Sequence, residues 1–192
     1  MKPIEDMRVI KTKTKLISTF RRLLEDKSFE NITINEICDV ANVRRATFYK
    51  HFSDKYAFLK FFVGNLRLEF DLRLQKKSRT ESASAYYVEY LRGIVDFLTE
   101  NEKIVENILK SDALLTLLEV IKEKNYEDTC DKLKESAKTG LKLPASIEIT
   151  ATMMTGAVAE ALLHWYRTGR KMSKEALIAE TSAVILKISN IA

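Results

Sequence analysis

Residues 33–55 read TINEICDVANVRRATFYKHFSDK, and this stretch decides the fold of the N-terminal part of the chain. Thr33 and Glu36 have the S/T-x-x-E spacing of a capping box, which predicts a helix start. Asn42 follows, a residue type that tolerates the left-handed conformation of a tight turn. An apolar face of about two turns lies between them, formed by Ile34, Ile37, Cys38 and Ala41. The stretch therefore predicts two short helices joined by a tight turn.

The predicted second helix has one apolar face and one face that is rich in hydrogen-bond donors. The apolar face consists of Val43, Phe48 and Phe52. The opposite face presents Arg44, Arg45, Thr47, Tyr49, Lys50 and His51. Each of these side chains can donate a hydrogen bond to a phosphate or a base edge, and none is acidic. This arrangement predicts a helix-turn-helix whose second helix lies in the major groove of DNA.

The run ANVRRATFYKHFSDK at residues 41–55 closely resembles the DNA-binding signature of the TetR family of transcriptional regulators. The resemblance covers about residues 11–62. Two positions depart from the family pattern. Asn42 replaces the usual glycine of the turn, which its conformational tolerance allows, and Arg44 replaces a frequent serine cap. Arg44 either contacts the DNA or is only exposed to solvent, and the sequence leaves both interpretations open.

Composition predicts an all-α fold, because 5 glycines and 2 prolines leave little material for β-hairpins. Apolar periodicity predicts about nine helices. Residues 1–10 are expected to form a loose arm, followed by a first helix from Lys11 to about Lys27. Ser53 or Asp54 should cap a long helix that extends to about Lys77. The resemblance implies a three-helix DNA-binding domain at residues 1–55 and a helical regulatory and dimerisation domain at residues 56–192.

The net charge of +5 is confined to the N-terminal part of the chain. Residues 1–60 contain 13 Lys/Arg and 8 Asp/Glu, whereas the remaining residues contain 19 of each. A basic excess at a helix-turn-helix fits an electrostatic footprint on DNA.

Several other classes of protein are excluded by the sequence. The longest stretch without a charged residue has 11 residues, fewer than the roughly 18 that a membrane span needs. The N-terminus lacks an apolar signal segment, and 2 cysteines provide neither a disulfide framework nor a metal-binding spacing. The chain has no glycine-rich phosphate loop and no nucleophile motif. We therefore expect a cytoplasmic protein that is not an enzyme and that uses no cofactor or metal.

The expected DNA contacts combine residue chemistry with the family resemblance. Arg45 and Lys50 are expected at base edges or nearby phosphates, and Asn35 resembles a base reader of some relatives. Lys55 is unfavourable for the helix dipole in the first turn, and the matching lysine of the family contacts a phosphate. The full predicted set is Thr33, Asn35, Arg44, Arg45, Thr47, Tyr49, Lys50, His51 and Lys55.

The C-terminal part is expected to dimerise and to sense an effector. Residues 151–163, ATMMTGAVAEALL, contain small side chains that let another helix approach closely, as in an ordinary buried helix or a dimer seam. We prefer the dimer, because one recognition helix reads only a half-site. Family members hold effectors between the middle helices, although core packing is the preferred explanation for each candidate. The candidates for ligand contact are Leu114, Leu118, Tyr126, Met153, His164 and Trp165.

These observations predict a sequence-specific DNA-binding regulator, a homodimeric repressor of a palindromic operator in double-stranded DNA. A small-molecule effector would release it. The alternative is a DNA-bound adaptor or co-activator that a protein partner controls, with the charged stretch 122–138 as a docking face.

Overall fold

The computed structural model describes residues 7–77 and 83–191, with side chains at 7–73 and 84–191. These residues form helices and no strand, which confirms the predicted all-α class. A short 3-10 turn, Phe29–Asn31, precedes the second helix. The nine helices of the described part are α1 (Met7–Asp26), α2 (Ile34–Ala41), α3 (Arg45–His51), α4 (Lys55–Lys77), α5 (Ala83–Glu100), α6 (Glu102–Leu109), α7 (Ala113–Lys138), α8 (Ile147–Arg167) and α9 (Lys174–Ser189).

The first helix begins earlier than the sequence pattern predicts. Residues 7–10 are helical, so the expectation of a loose arm at residues 1–10 is wrong for these four positions. The rest of that predicted arm lies outside the described residues. Residues 76–84, KKSRTESAS, are polar and predict a break between helices. This stretch falls partly outside the described residues, and residues 76, 77, 83 and 84 are helical.

Two compact units make up the described chain. The first consists of the described residues within Met1–Leu66 together with Asn101–Leu118. The second consists of the described residues within Arg67–Glu100 and Glu119–Ala192. Helices α4 and α7 each contribute residues to both units, because the divisions at Leu66 and Leu118 fall inside them.

An aromatic cluster forms the core of the first unit. The ring of Phe58 on α4 lies 5.0 Å from that of Phe20 on α1 and 5.4 Å from that of Phe48 on α3. The Phe52 ring, just after α3, lies 4.8 Å from Phe58. Phe20, Phe48 and Phe58 are fully buried. Removing one such ring from a packed core costs about 3–5 kcal/mol, so this cluster fixes α3 against α1 and α4.

Helix α6 completes the first unit by packing against α1. The amide of Asn107 donates a hydrogen bond of 2.7 Å to the carbonyl oxygen of Leu24 near the end of α1. Arg21 donates one of 3.1 Å to the side-chain oxygen of Asn101. Both bonds join residues about 80 positions apart. They hold α6 against α1 through contacts that the apolar pattern of the sequence does not predict.

The second unit contains α5, α8, α9 and parts of α4 and α7. Helix α9 packs against both α5 and α8. One buried cluster forms around Leu133, Ala151 and Met154, and another around Val95 and Trp165. No helix in the described ranges is both long and apolar enough to cross a membrane.

Candidate functional sites

The turn between α2 and α3 has the conformation that the sequence predicts. The Thr33 side chain accepts a hydrogen bond of 3.1 Å from the backbone N–H of Glu36 and so caps α2. The Glu36 carboxylate pairs with Lys27 at the end of α1, so the second half of the capping box is replaced by an ion pair. Asn42 adopts φ 51° and ψ 51°, the left-handed conformation that closes the helix.

Helix α3 is short and is held from its buried side. Phe48 has no exposed surface, and the ring of Phe52 lies 5.4 Å from it. Arg44 occupies the N-cap position and its side chain makes no capping hydrogen bond. The helix of 7 residues is therefore stabilised by the aromatic core rather than by its cap.

The outer face of α3 is cationic and free of internal partners. Arg44, Arg45 and Lys50 are exposed, and none of them makes a side-chain hydrogen bond or ion pair within the described residues. Tyr49 lies on the same helix with 48% of its surface exposed. Exposed cations without internal carboxylate partners can donate to phosphates or base edges without first breaking another interaction.

The remaining predicted DNA contacts differ in accessibility. Asn35 is exposed on α2, and Thr33 is exposed with its hydroxyl oxygen used by the cap. Thr47 and His51 are half-buried, and the His51 ring lies 6.2 Å from that of Phe52. The structure brings these residues together with the α3 cations in the first unit, and their contact with DNA stays a prediction.

Lys55 has a set of partners that the sequence did not reveal. Its ammonium nitrogen donates to the carbonyl oxygens of Phe29 at 2.8 Å, Ile32 at 2.9 Å and Glu30 at 3.4 Å. It also lies 4.2 Å from the centre of the Phe29 ring. Burial lowers the pKa of Lys55. An ammonium group has three N–H donors, so in this conformation all of them point at the 3-10 turn and the residue after it.

Asp54 supplies the cap of α4. Its carboxylate accepts a hydrogen bond of 2.7 Å from the backbone N–H of Ala57. That bond, with a second one from the Ser53 hydroxyl, holds the pKa of Asp54 below its ordinary value. Of the two cap candidates in the sequence, Asp54 is the one that caps the helix.

The second unit contains a cavity of about 50 Å³ between α5, α7, α8 and α9. The hydroxyl groups of Tyr87 and Ser182, two of its lining residues, are buried without a hydrogen-bond partner in the described residues. Burial raises the pKa of Tyr87 above its usual range and that of Tyr90 to about 12. The lining consists of Tyr87, Tyr90, Leu91, Ile94, Asn125, Thr129, Met154, Thr155, Val158, Ser182 and Ile185.

A polar network lies behind one wall of this cavity. The side-chain oxygen of Asn125 accepts hydrogen bonds from the Tyr90 hydroxyl, at 2.9 Å, and from Arg67 of α4. Arg67 also donates to Asp71 at 2.8 Å and to Asp128 at 2.7 Å, with only 12% of its side chain exposed. The guanidinium group of Arg67 is therefore held by two carboxylates and one amide oxygen.

None of the six residues predicted to contact a ligand belongs to the lining of this cavity. Trp165 is buried, and its indole N–H donates a hydrogen bond of 2.8 Å to the carbonyl oxygen of Met172. Met153 is 56% exposed and His164 is also exposed. Leu114 and Leu118 are half-buried in the first unit, and Tyr126 packs half-buried against the cluster of Leu133. Whether any of them binds a ligand stays a prediction.

The cavity residues gave only a weak signal in the sequence. Tyr87 and Leu91 belong to the apolar stripe of α5, where they are indistinguishable from core residues. Asn125 lies in a charged stretch and Ser182 lies among small residues, so the sequence pattern marks neither residue as functional. The signal that finds them is a buried hydroxyl without a partner, which exists only in three dimensions.

The anchored recognition helix and its free cations define a helix-turn-helix DNA-binding protein. A family model described as bacterial regulatory proteins of the tetR family matches residues 16–60. A model described as transcriptional regulator C-terminal region matches residues 87–187. The chain belongs to the TetR family of transcriptional regulators. No relative among the curated proteins matches the sequence.

Solved structures share this fold at low sequence identity. A protein assigned to the TetR family from Syntrophomonas wolfei is 16% identical with a TM-score of 0.74, covering 92% of this chain and 94% of that one. A TetR-family regulator from Pectobacterium atrosepticum is 19% identical with a TM-score of 0.69, covering 96% and 95%. FadR from Bacillus subtilis, solved with stearoyl-CoA, is 17% identical with a TM-score of 0.67, covering 93% and 99%.

Proposed function

We propose that this chain is a homodimeric repressor that binds a palindromic operator and leaves it when a small molecule occupies the second unit. In this proposal residues 1–55 bind DNA and residues 56–192 regulate and dimerise. The protein acts in the cytoplasm by binding alone and catalyses no reaction. The observation that carries the proposal is the cationic outer face of α3, whose positive side chains have no internal partner.

The DNA-binding part of the proposal rests on how α3 is held. Phe48 and Phe52 anchor the helix in an aromatic core, which leaves Arg44, Arg45 and Lys50 exposed on its outer side. A helix that is fixed from behind presents its donors in one geometry, as major-groove readout requires. Arg45 in the first turn is suited to a base edge, and Lys50 near the end is suited to a phosphate.

The dimer part rests on an exposed apolar stripe. Ile149 and Met153 of α8 are 57% and 56% exposed, and Val184 of α9 is 54% exposed. Gly156 continues the α8 stripe, and a Cβ atom added there meets no neighbour within 4 Å. Side chains at i, i+4 and i+7 share one helix face, and a second copy would cover them.

The effector part rests on the cavity of the second unit. FadR of Bacillus subtilis was solved with stearoyl-CoA, so this fold can accommodate a large ligand. A volume of about 50 Å³ here is far below the roughly 300–1,000 Å³ of sites for drug-sized ligands. We therefore propose a smaller effector and do not transfer the acyl-CoA ligand to this chain.

Selection of bound duplexes from a random DNA pool at about 150 mM salt tests the proposal. An enriched palindrome with half-sites one helical turn apart or somewhat more is expected. Affinity for that duplex should fall about 10³–10⁵-fold between 50 and 200 mM salt if the dimer neutralises roughly 6–10 phosphates. The matched control is the variant Arg45→Ala, which should enrich the same palindrome with a relaxed preference at one base pair of each half-site. No enrichment by the wild-type chain, together with a flat salt dependence, would reject the proposal.

A further inference from the structure

The lining of the cavity in the second unit contains unpaired polar groups, unlike the lining of a void left by imperfect packing. Empty cavities in proteins are apolar, whereas polar cavities hold water or a ligand. Here the hydroxyls of Tyr87 and Ser182 are buried without a protein partner, although most of the lining is apolar. Leaving a buried hydroxyl unpaired is unfavourable, so an occupant with a polar atom would be stabilised at this position.

Asn125 adds directional hydrogen-bond donors. Its side-chain oxygen accepts bonds from Arg67 and Tyr90, which fixes the orientation of the amide. Its amide nitrogen makes no hydrogen bond within the described residues, and Asn125 lines the cavity. The two N–H donors of that nitrogen are therefore available to an acceptor oxygen.

The electrostatics of the wall exclude a charged occupant. No lining residue carries a formal charge at neutral pH. Arg67 contacts the lining residue Asn125, and its guanidinium group is already bound by Asp71 and Asp128. Lys124 also pairs with Asp128, at 2.9 Å, so these four groups have no net charge. An anion would enter without a free cation to pair with, and a cation would enter without a free carboxylate. Burying an unpaired charge is far more costly than burying a neutral polar group.

The size of the cavity limits the occupant. One water-sized group needs a cavity volume of about 10–15 Å³. The cavity volume of about 50 Å³ therefore accommodates roughly three to five non-hydrogen atoms. The occupant must therefore be compact, or must place only a compact end group inside.

We propose that this cavity binds a neutral molecule of a few carbon atoms whose carbonyl or hydroxyl oxygen bonds with Asn125, Tyr87 and Ser182. The inference rests on the proposed function, since such a molecule would be the effector. That effector would be a small aldehyde, ketone or alcohol rather than a carboxylate or an acyl thioester.

Titration of the full-length protein with three probes of matched size, followed by protein-observed NMR and by thermal unfolding, tests this inference. The probes are butan-2-one, butanoate and butylammonium. Ligands with so few atoms bind weakly, so we expect butan-2-one to saturate with a dissociation constant on the order of millimolar. Butanoate and butylammonium should bind at least about tenfold more weakly. Equal or tighter binding of either ion, or no saturable binding of butan-2-one, would overturn the inference.

Variants assign the binding to the cavity. Tyr87→Phe and Ser182→Ala each remove a hydroxyl that has no protein partner, so both should fold, and each should weaken butan-2-one binding by about tenfold. The matched control is Thr150→Val, because the Thr150 hydroxyl is also buried without a partner but Thr150 does not line the cavity. Unchanged affinity in both cavity variants would place the probe elsewhere and overturn the assignment.

Binding of the selected DNA duplex, measured without any probe, separates this inference from the proposed function. If the protein binds the duplex and no probe, only the effector class fails. If butan-2-one binds and no duplex does, the cavity site stands and the regulatory function fails.

Discussion

The ammonium nitrogen of Lys55 donates a hydrogen bond of 2.8 Å to the backbone carbonyl oxygen of Phe29, across 26 residues of chain. With the bonds to Ile32 and Glu30, this contact ties the start of α4 to the turn that leads into α2. The lysine at this position was predicted to contact a phosphate, and the structure gives its donors a role inside the protein. The two roles lead to different measurable consequences.

Lys55→Met should destabilise the protein by about 1–3 kcal/mol, because three carbonyl oxygens, two of them in partly buried bonds, lose a charged donor. If Lys55 positions the turn, operator affinity falls while its dependence on salt concentration keeps the same slope. Urea unfolding gives the stability, and operator titrations at several salt concentrations give the slope. Lys50→Met is the matched control, since Lys50 is exposed without a partner and should leave stability unchanged. If stability is unchanged and the slope of log affinity against log salt concentration falls by about 1 per protomer, the result would instead support the phosphate contact.

Local signals in the sequence coincide with several of the observed helix boundaries. Thr33, Ser146 and Ser173 each accept a hydrogen bond from a backbone N–H in the first turn of the helix that follows. Gly169 has a φ of 72° just beyond α8, a left-handed conformation that glycine adopts without strain. Capping depends on residues within one helical turn, so the local sequence is sufficient to predict where a helix begins or ends. The start of α1 at Met7 differs from the prediction, because the first ten residues were expected to fray as a chain terminus.

Contacts between distant residues could not be predicted in the same way. The apolar stripe of α5 shows that Tyr87 faces the core, but not that its hydroxyl lacks a partner. The unfavourable position of Lys55 at a helix start was noticed, yet its partners lie 23 to 26 residues upstream. Both features depend on how the helices pack, which periodicity does not specify.

Arg45→Ala and Lys50→Ala should affect DNA binding in two different ways. Arg45 in the first turn of α3 is expected to read a base, so its loss should reduce discrimination at one base pair by about 1–3 kcal/mol. Lys50 is expected to hold a phosphate, so its loss should weaken binding to all sequences and reduce the salt slope by about 1 per protomer. Titrations with the operator and with single-base variants distinguish the two. Arg44→Ala in the same series decides whether Arg44 contacts DNA, and identical profiles for all three variants would contradict the division of roles.

Met153→Glu should convert the proposed dimer into a monomer, because a charge would be buried at the centre of the apolar stripe. Sedimentation measures the change from twice the chain mass of 22.1 kDa to the single value. Leu115→Glu is the control, since Leu115 is 73% exposed on α7, outside the α8–α9 stripe, and should leave the dimer intact. A dimer that survives Met153→Glu but not Leu115→Glu would place the interface elsewhere.

Removal of two buried hydroxyl groups in the second unit should change stability to different extents. The Ser189 hydroxyl donates a hydrogen bond of 2.8 Å to the carbonyl oxygen of Ile185, so Ser189→Ala should destabilise by about 0.5–1.5 kcal/mol. The Thr150 hydroxyl has no partner within the described residues, so the isosteric Thr150→Val should be neutral or stabilising. Urea unfolding compares the two variants. A loss of stability in Thr150→Val as large as in Ser189→Ala would show that Thr150 is hydrogen-bonded in solution.

Asp54→Asn should lower stability at neutral pH and should have a smaller effect in acid. The capping bond from Ala57 depresses the pKa of Asp54 in the folded state, so the charged carboxylate stabilises the protein above the ordinary aspartate pKa of about 3.9. This contribution disappears as the pH falls through the lower, folded-state value. An amide can still cap the helix but lacks the charge that interacts with the helix dipole, which is worth about 0.3–1 kcal/mol.

Urea unfolding of wild type and Asp54→Asn at pH 7 and near pH 3 measures this difference. The matched control is Asp39→Asn, because Asp39 is exposed near the C-terminal end of α2, where a negative charge is unfavourable for the helix dipole. That variant should be neutral or slightly more stable at pH 7. A stability gap between wild type and Asp54→Asn that widens in acid would contradict the capping role of the charged carboxylate, because protonation removes the charge that the variant lacks.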